Sequence, residues 1–168
     1  MKARPALRAT LAASAVVVLA TLARADAPGD QYNLFNGNSD IIQDVRTGLT
    51  WQREPSPTAV SFTDAAVVCQ ALSLDTFTSG WRVPSYKELL TLVDEAPHVE
   101  YEGSMLVTKW IDGNAFLGDA RSPVSLGGYW TSSAYPGTPP MYAYTVDFRS
   151  GISQAQYMTT PEYVRCVH

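Results

Sequence analysis

The chain has 168 residues, 12 basic and 16 acidic side chains, and a net charge of −4. That length sets one domain with room for a sizeable core, and the acidic balance argues against nucleic acid or an anionic membrane surface as a partner. Four Trp, nine Tyr and five Phe exclude a disordered tail and call for a packed globule.

In chain order, residues 1–25 read as a secretory signal peptide. Lys2, Arg4 and Arg8 make a basic start, Ala9 to Ala23 is an apolar run, and Ala23-Arg24-Ala25 places small residues before a cut at Asp26. The alternative, a membrane anchor, needs roughly 18 or more apolar residues, and this run is shorter. No Cys near the cut offers a lipid attachment point, and no later stretch is long and apolar enough for a membrane span. Removing residues 1–25, with four of the twelve bases and no acid, leaves 143 residues with eight bases against sixteen acids, a charge of −8. The expected location is periplasmic or secreted, with no nucleic-acid partner.

Residues 26–40 are polar and rich in Gly and Asn, which predicts a loose lead-in to a domain over residues 41–168. Ile41 to Val45 and Leu49 to Gln52, joined through Arg46-Thr47-Gly48, predict an N-terminal hairpin. Glu54-Pro55-Ser56-Pro57 breaks that pattern. Ser61 with Asp64 then caps a first helix whose apolar stripe is Phe62, Ala65, Ala66 and Cys69, so Cys69 faces inward.

Gly80 to Leu90 is the densest stretch of the chain. Trp81 and Val83 flank Arg82 with strand spacing, Pro84 stops the strand, and Ser85 with Glu88 forms a capping box. Tyr86, Leu89, Leu90 and Val93 continue as the apolar stripe of a second helix. An Arg between two apolar residues needs a carboxylate or several carbonyls. Glu88 and Asp147 are the candidate partners, and Trp81, Arg82 and Glu88 are read together as a structural brace.

Ala96 to Gly128 holds seven irregularly spaced Gly and Pro residues and one short strand pattern, Met105 to Trp110. Long irregular stretches inside compact domains are often functional. Tyr129 to Tyr135 resumes strand character, Pro136 to Pro140 is a rigid loop, and Tyr142, Tyr144, Val146 and Phe148 alternate with Ala143, Thr145 and Asp147. Arg149-Ser150-Gly151 turns into Ile152 to Tyr157, and Tyr163 to Val167 is a last strand carrying Cys166. The fold class is α+β: an N-terminal hairpin, two helices, a long irregular loop region and a late antiparallel sheet. Two cysteines, Cys69 and Cys166, in an exported chain read as one disulfide, worth roughly 4–5 kcal/mol on the chain-entropy model. The alternative, a reactive thiol, is disfavoured by export to an oxidising compartment.

Five blocks in order carry a family resemblance. Asp44 to Gln52 resembles the opening D-x-x-T-G-L-x-W, Ala65 to Cys69 the first helix, and Gly80 to Ser85 with Glu88-Leu89 the core W-R-[LV]-P-[ST]-x-x-E-L. Tyr129 to Ser133 and Val164 to Val167 match the later blocks. The chain, over about residues 40–168, resembles the Lcl C-terminal domain family, named for a bacterial collagen-like adhesin and catalogued as a domain of unknown function. The resemblance implies a C-type-lectin-like fold, shared with the formylglycine-generating-enzyme group, and an adhesin-like recognition role. It carries no ligand residues across. In the adhesin the domain is associated with sulfated polysaccharides, whereas the −8 charge here fits a polyanion badly.

Chemical motifs are sparse. Neither Glu54-Pro55-Ser56 nor Tyr129-Trp130-Thr131-Ser132 matches the calcium-and-sugar motifs of lectins of that fold, and Asp112, Asn114 and Asp119 lack an EF-hand's twelfth-position Glu, having Pro123. Ser132-Ser133 and His98 lack a nucleophile elbow. Asp94-Glu95 and Glu100/Glu102 offer carboxylate pairs of unknown separation, read as a solvated acidic patch. The two cysteines are assigned to the disulfide, so the paired-cysteine chemistry of the formylglycine-generating group is not implied. No metal or cofactor is expected. Trp51, Trp81 and Trp130 are read as core, and Trp110, Tyr135 and Tyr142 as a candidate ligand surface. The expectation is a non-catalytic recognition module that binds a glycan or protein partner through loops 96–128 and 135–142. A hydrolase with an acidic cleft and a structural subunit of an envelope assembly are the alternatives, and the oligomeric state is open.

Overall fold

The computed structural model describes residues 28–37, 40–102, 104–116, 128–137 and 139–168. The expected signal peptide and Asp119 therefore lie outside the described residues, as do the side chains of Glu100 and Glu102. The elements are β1 (Tyr32–Leu34), β2 (Ile41–Asp44), β3 (Thr50–Gln52), α1 (Phe62–Gln70), α2 (Tyr86–Leu90), β4 (His98–Glu102), β5 (Met105–Lys109), β6 (Tyr129–Ala134), β7 (Tyr142–Asp147) and β8 (Ile152–Tyr157). They form three small antiparallel sheets, ordered β1-β2-β3, β4-β5 and β6-β7-β8, with two helices, an α+β architecture.

Three expectations change. The lead-in 26–40 is not loose throughout, because Tyr32–Leu34 adds a strand to the hairpin and sets Leu34 opposite Ile42. Tyr32 also packs edge-on against Phe116, with ring centres 5.0 Å apart. The irregular stretch 96–128 contains a β4-β5 hairpin pairing His98 with Lys109 and Tyr101 with Leu106. The last strand is no ladder strand. Glu162, just before it, bridges Val60, Tyr163 bridges Tyr129, and Val167 bridges both Trp51 and Arg82, so the segment pairs at isolated points on four different segments.

Strand alternation builds two cores. Ile42, Trp51, Leu89, Phe116, Tyr129, Val146, Phe148 and Val167 belong to one cluster, and Ile41, Ala65, Cys69, Trp81, Trp130, Ala143, Val164 and Cys166 to the other. The adjacent pairs Ile41/Ile42, Tyr129/Trp130 and Cys166/Val167 each divide between the two, because successive side chains on extended backbone point to opposite faces. Cys69 and Cys166 are disulfide-bonded with Cα atoms 5.5 Å apart, which joins the inner face of α1 to the C-terminal segment.

Candidate functional site

The site is framed by the turn from Trp81 into α2. Ser85 Oγ accepts from the Glu88 amide (3.3 Å), and Glu88 Oε2 accepts from the Ser85 amide (2.7 Å), the reciprocal pairing of a capping box. Arg82 donates from both terminal nitrogens to the same carboxylate, at 2.8 and 2.6 Å. That bidentate pair holds the Glu88 carboxyl down to about pKa 2, with the Arg82 hydrogen bonds as the largest cause and burial opposing them. Glu88, not Asp147, is the Arg82 partner; Asp147 Oδ1 accepts from the Arg149 amide at the β7-β8 turn. Helix α2 is shorter than the apolar stripe suggests. Thr91 ends it by donating both its amide and its hydroxyl to Glu88 O, a local bond that competes with continued helix.

Above this corner the chain gathers five tyrosines. Tyr86, the first residue of α2, stacks on Tyr144 of β7 at 4.6 Å with an interplanar angle of 23°. Tyr144 meets Tyr135 at 5.3 Å, Tyr135 meets Tyr142 at 6.5 Å, and Tyr142 meets Tyr157 of β8 at 4.2 Å. The β7-β8 register puts Tyr142 directly opposite Tyr157, and period-two alternation brings Tyr144 to the same face. Tyr86 is fixed at both ends: its amide donates to Ser133 Oγ at 3.1 Å, and its hydroxyl lies 2.7 Å from Ser153 Oγ. Tyr135, in the middle of the row, and Tyr157, at its end, remain 43% and 47% exposed and make an open shelf. A hydrogen bond with Tyr157 pushes the Tyr142 phenol above its ordinary pKa.

The structure brings Tyr135 and Tyr142 together and places Trp110 elsewhere. The Trp110 ring lies where a Cβ on Gly151 would stand, 2.9 Å away, and its amide donates to Phe148 O at 2.6 Å. It thus packs at the far end of the β7-β8 hairpin from Tyr142, a strand length of roughly 17 Å, and is a half-buried wedge rather than part of the shelf. Tyr86, Tyr144 and Tyr157 were not singled out in the sequence. The Tyr142/Tyr144 alternation was the one signal for them, and the cross-strand partner only follows once register is fixed.

A second concavity, about 440 Å³, is lined by Tyr32, Arg53, His98, Asp112 and Asn114. His98 Nε2 sits 3.2 Å from Asp94 Oδ2. Burial and the nearby Asp44, Asp94 and Asp112 carboxylates push the Tyr32 phenol upward. Asp112 Oδ1 accepts from the Asn114 and Ala115 amides, a turn-forming role. Among the described residues, no three His, Cys, Asp or Glu side chains are grouped to hold a metal ion, and no helix is long and apolar enough to cross a membrane.

Arg165 carries no local signal of a special role in the sequence. It is 0% exposed, donates from Nη1 to Gln52 O (2.9 Å) and to Arg53 O, and lies over the Phe116 and Tyr129 rings at 4.9 and 5.7 Å. These two bonds from one nitrogen lock the C-terminal segment to the end of β3.

These features define a disulfide-clamped α+β domain whose framed corner carries an open aromatic shelf. The chain belongs to the Lcl C-terminal domain family, whose model matches residues 40–168. No curated protein and no solved structure matches the chain.

Proposed function

We propose that the protein is an exported, non-catalytic recognition module with a C-type-lectin-like fold, binding a glycan or protein partner across the tyrosine shelf. The observation that carries this is the continuous row Tyr86-Tyr144-Tyr135-Tyr142-Tyr157, exposed at Tyr135 and Tyr157 and pinned at Tyr86. Aromatic faces held rigid lose little entropy on binding, and they stack on sugar rings or anchor a partner's apolar side chains. The order of early hairpin, two helices and late antiparallel sheet, with the C-terminal segment laid beside β3, supports the lectin-type architecture. The disulfide and the basic-then-apolar start of the chain support a periplasmic or secreted location.

The β4-β5 hairpin within loop 96–128 supplies a second contact surface. Val99, Tyr101 and Leu106 are its exposed apolar side chains, and Tyr101 and Leu106 face each other across the ladder. The test is a glycan array and an envelope-protein capture with the purified domain, run beside Tyr135→Ala/Tyr142→Ala/Tyr157→Ala. A ligand retained by the parent and lost at least tenfold by the triple variant is expected. Equal retention by both proteins counts against the shelf.

A hydrolase alternative rests on the His98–Asp94 pair beside the Tyr32/Asp112 cavity, where titratable groups converge. Turnover of chromogenic glycosides or esters that disappears in His98→Ala favours it over recognition.

A further inference from the structure

We infer that the cavity between α1 and the Trp81–Val83 corner is a second binding site, built for a small neutral molecule with an apolar body and a hydrogen-bonding edge. The cavity measures about 490 Å³, within the roughly 300–1,000 Å³ of small-molecule sites. Its apolar floor is Phe62, Ala66 and Val83. Its rim is Thr63, Gln70, Ser132 and Arg82. Phe62, Ala66 and Gln70 recur at every fourth position, so one stripe of α1 faces the space while Ala65 and Cys69 face the core.

Each wall is fixed before any ligand arrives. The Phe62 ring stands edge-on to Trp130 at 5.5 Å, and Trp130 Nε1 donates to Val60 O at 2.8 Å. The disulfide at Cys69 and the Ser61 cap hold α1, and the bidentate Arg82–Glu88 pair holds the corner. A preformed apolar space loses less on binding than one that must be assembled. The electrostatics select the ligand's charge. Both terminal nitrogens of Arg82 are engaged by Glu88, and the other rim groups are a hydroxyl pair and an amide. The site thus offers hydrogen bonds without net charge, and a charged ligand would lose hydration there without an opposite charge to meet.

The site is separate from the tyrosine shelf. Ser132 and Ser133, neighbours on β6, serve opposite sides: Ser133 Oγ accepts from the Tyr86 amide, whereas Ser132 lines the cavity and its amide donates to Pro84 O at 2.7 Å. Failure of one site therefore leaves the other standing.

The test is a ¹H–¹⁵N NMR titration of the domain with three probes that share one ring: 4-hydroxybenzamide, 4-hydroxybenzoate and tyramine. Saturable shifts at Thr63, Ala66, Gln70, Val83 and Ser132 are expected for the amide, with a Kd below about 1 mM and at least fivefold tighter than for the anion or the cation. Ala66→Phe fills the space and is expected to abolish the shifts. Thr63→Trp, at an exposed position of the rim, covers the mouth without touching the core and is expected to weaken binding at least tenfold with an unchanged melting temperature. Shifts confined to other residues, a preference for either charged probe, or unaltered binding in Thr63→Trp overturns the inference.

Discussion

Arg82 and Val167 exchange both of their backbone hydrogen bonds, 2.9 Å in each direction. On the other side of the same segment, Thr50 and His168 exchange theirs at 3.1 and 2.8 Å. The C-terminal residues are thus threaded between the N-terminal sheet and the corner, with His168 held by Thr50. Its ring also packs against Phe77 at 4.5 Å and Trp81 at 5.7 Å. The corner beneath the shelf is thus tied to the N-terminal sheet through the C-terminal segment.

The Cys69–Cys166 bond closes a loop of 97 residues across that frame. Cys69→Ala/Cys166→Ala is expected to lower unfolding free energy by about 2–4 kcal/mol, since cross-linking chiefly restricts the unfolded chain. Urea denaturation measures the loss, and mass spectrometry of the parent after alkylation without reductant is expected to show no modified thiol.

Glu88 gives a pH-dependent term whose sign is fixed. Its folded pKa, about 2, lies below its ordinary 4.5, so the contribution is complete above about pH 4.5 and is lost as the pH falls through about 2. Arg82 is 48% exposed, and solvent screening limits the pair to about 1 kcal/mol. Glu88→Gln keeps a side chain able to complete the capping box while removing the ion pair. It is expected to cost about 1 kcal/mol at pH 7 and to match the parent near pH 2 in denaturant titrations.

Gly80 adopts φ +90°, and a Cβ there would stand 2.7 Å from His168 Nε2. Gly80→Ala suffers both the backbone strain and the contact, at about 1–2 kcal/mol. His168→Ala removes the contact alone. Thermal melts of the two single variants and the double variant are expected to show a less-than-additive loss, because the contact is counted once.

Arg165 is buried among two carbonyls and two rings. Arg165→Met fills similar volume yet strands Gln52 O and Arg53 O, and is expected to destabilise by about 2–4 kcal/mol in chemical denaturation. Arg165→Lys keeps the charge but loses the planar group lying over the Phe116 and Tyr129 rings, and is expected to recover less than half of that.

What the sequence made legible was local. The Ser85/Glu88 capping box, the Arg46-Thr47-Gly48 turn and the inward Cys69 all follow from contacts within a few residues, and all are present. What it hid was non-local. Tyr32–Leu34 is too short for periodicity to register, and it is a strand only because Ile41–Asp44 lies beside it. The β4-β5 ladder sits in a segment whose glycines mask its alternation. The shelf depends on register: Tyr142 and Tyr144 alternate visibly, but Tyr157 joins them through a cross-strand pairing and Tyr86 through the docking of α2. Trp110 looks in sequence like its neighbours in a loop, and only the close approach to Gly151 shows that its face is already taken. Arg165 reads as a surface charge until the C-terminal segment is placed between two sheets.

The most direct measurement is a side-chain NMR titration of the tyrosine rings with whichever glycan or envelope protein the capture experiment returns. The account expects the Tyr135, Tyr142, Tyr144 and Tyr157 ring signals to shift together and to saturate at one Kd, while Tyr32 and Tyr163 stay still. Ring shifts confined to Tyr32 or Tyr101, with the four shelf tyrosines unmoved at saturation, would contradict it.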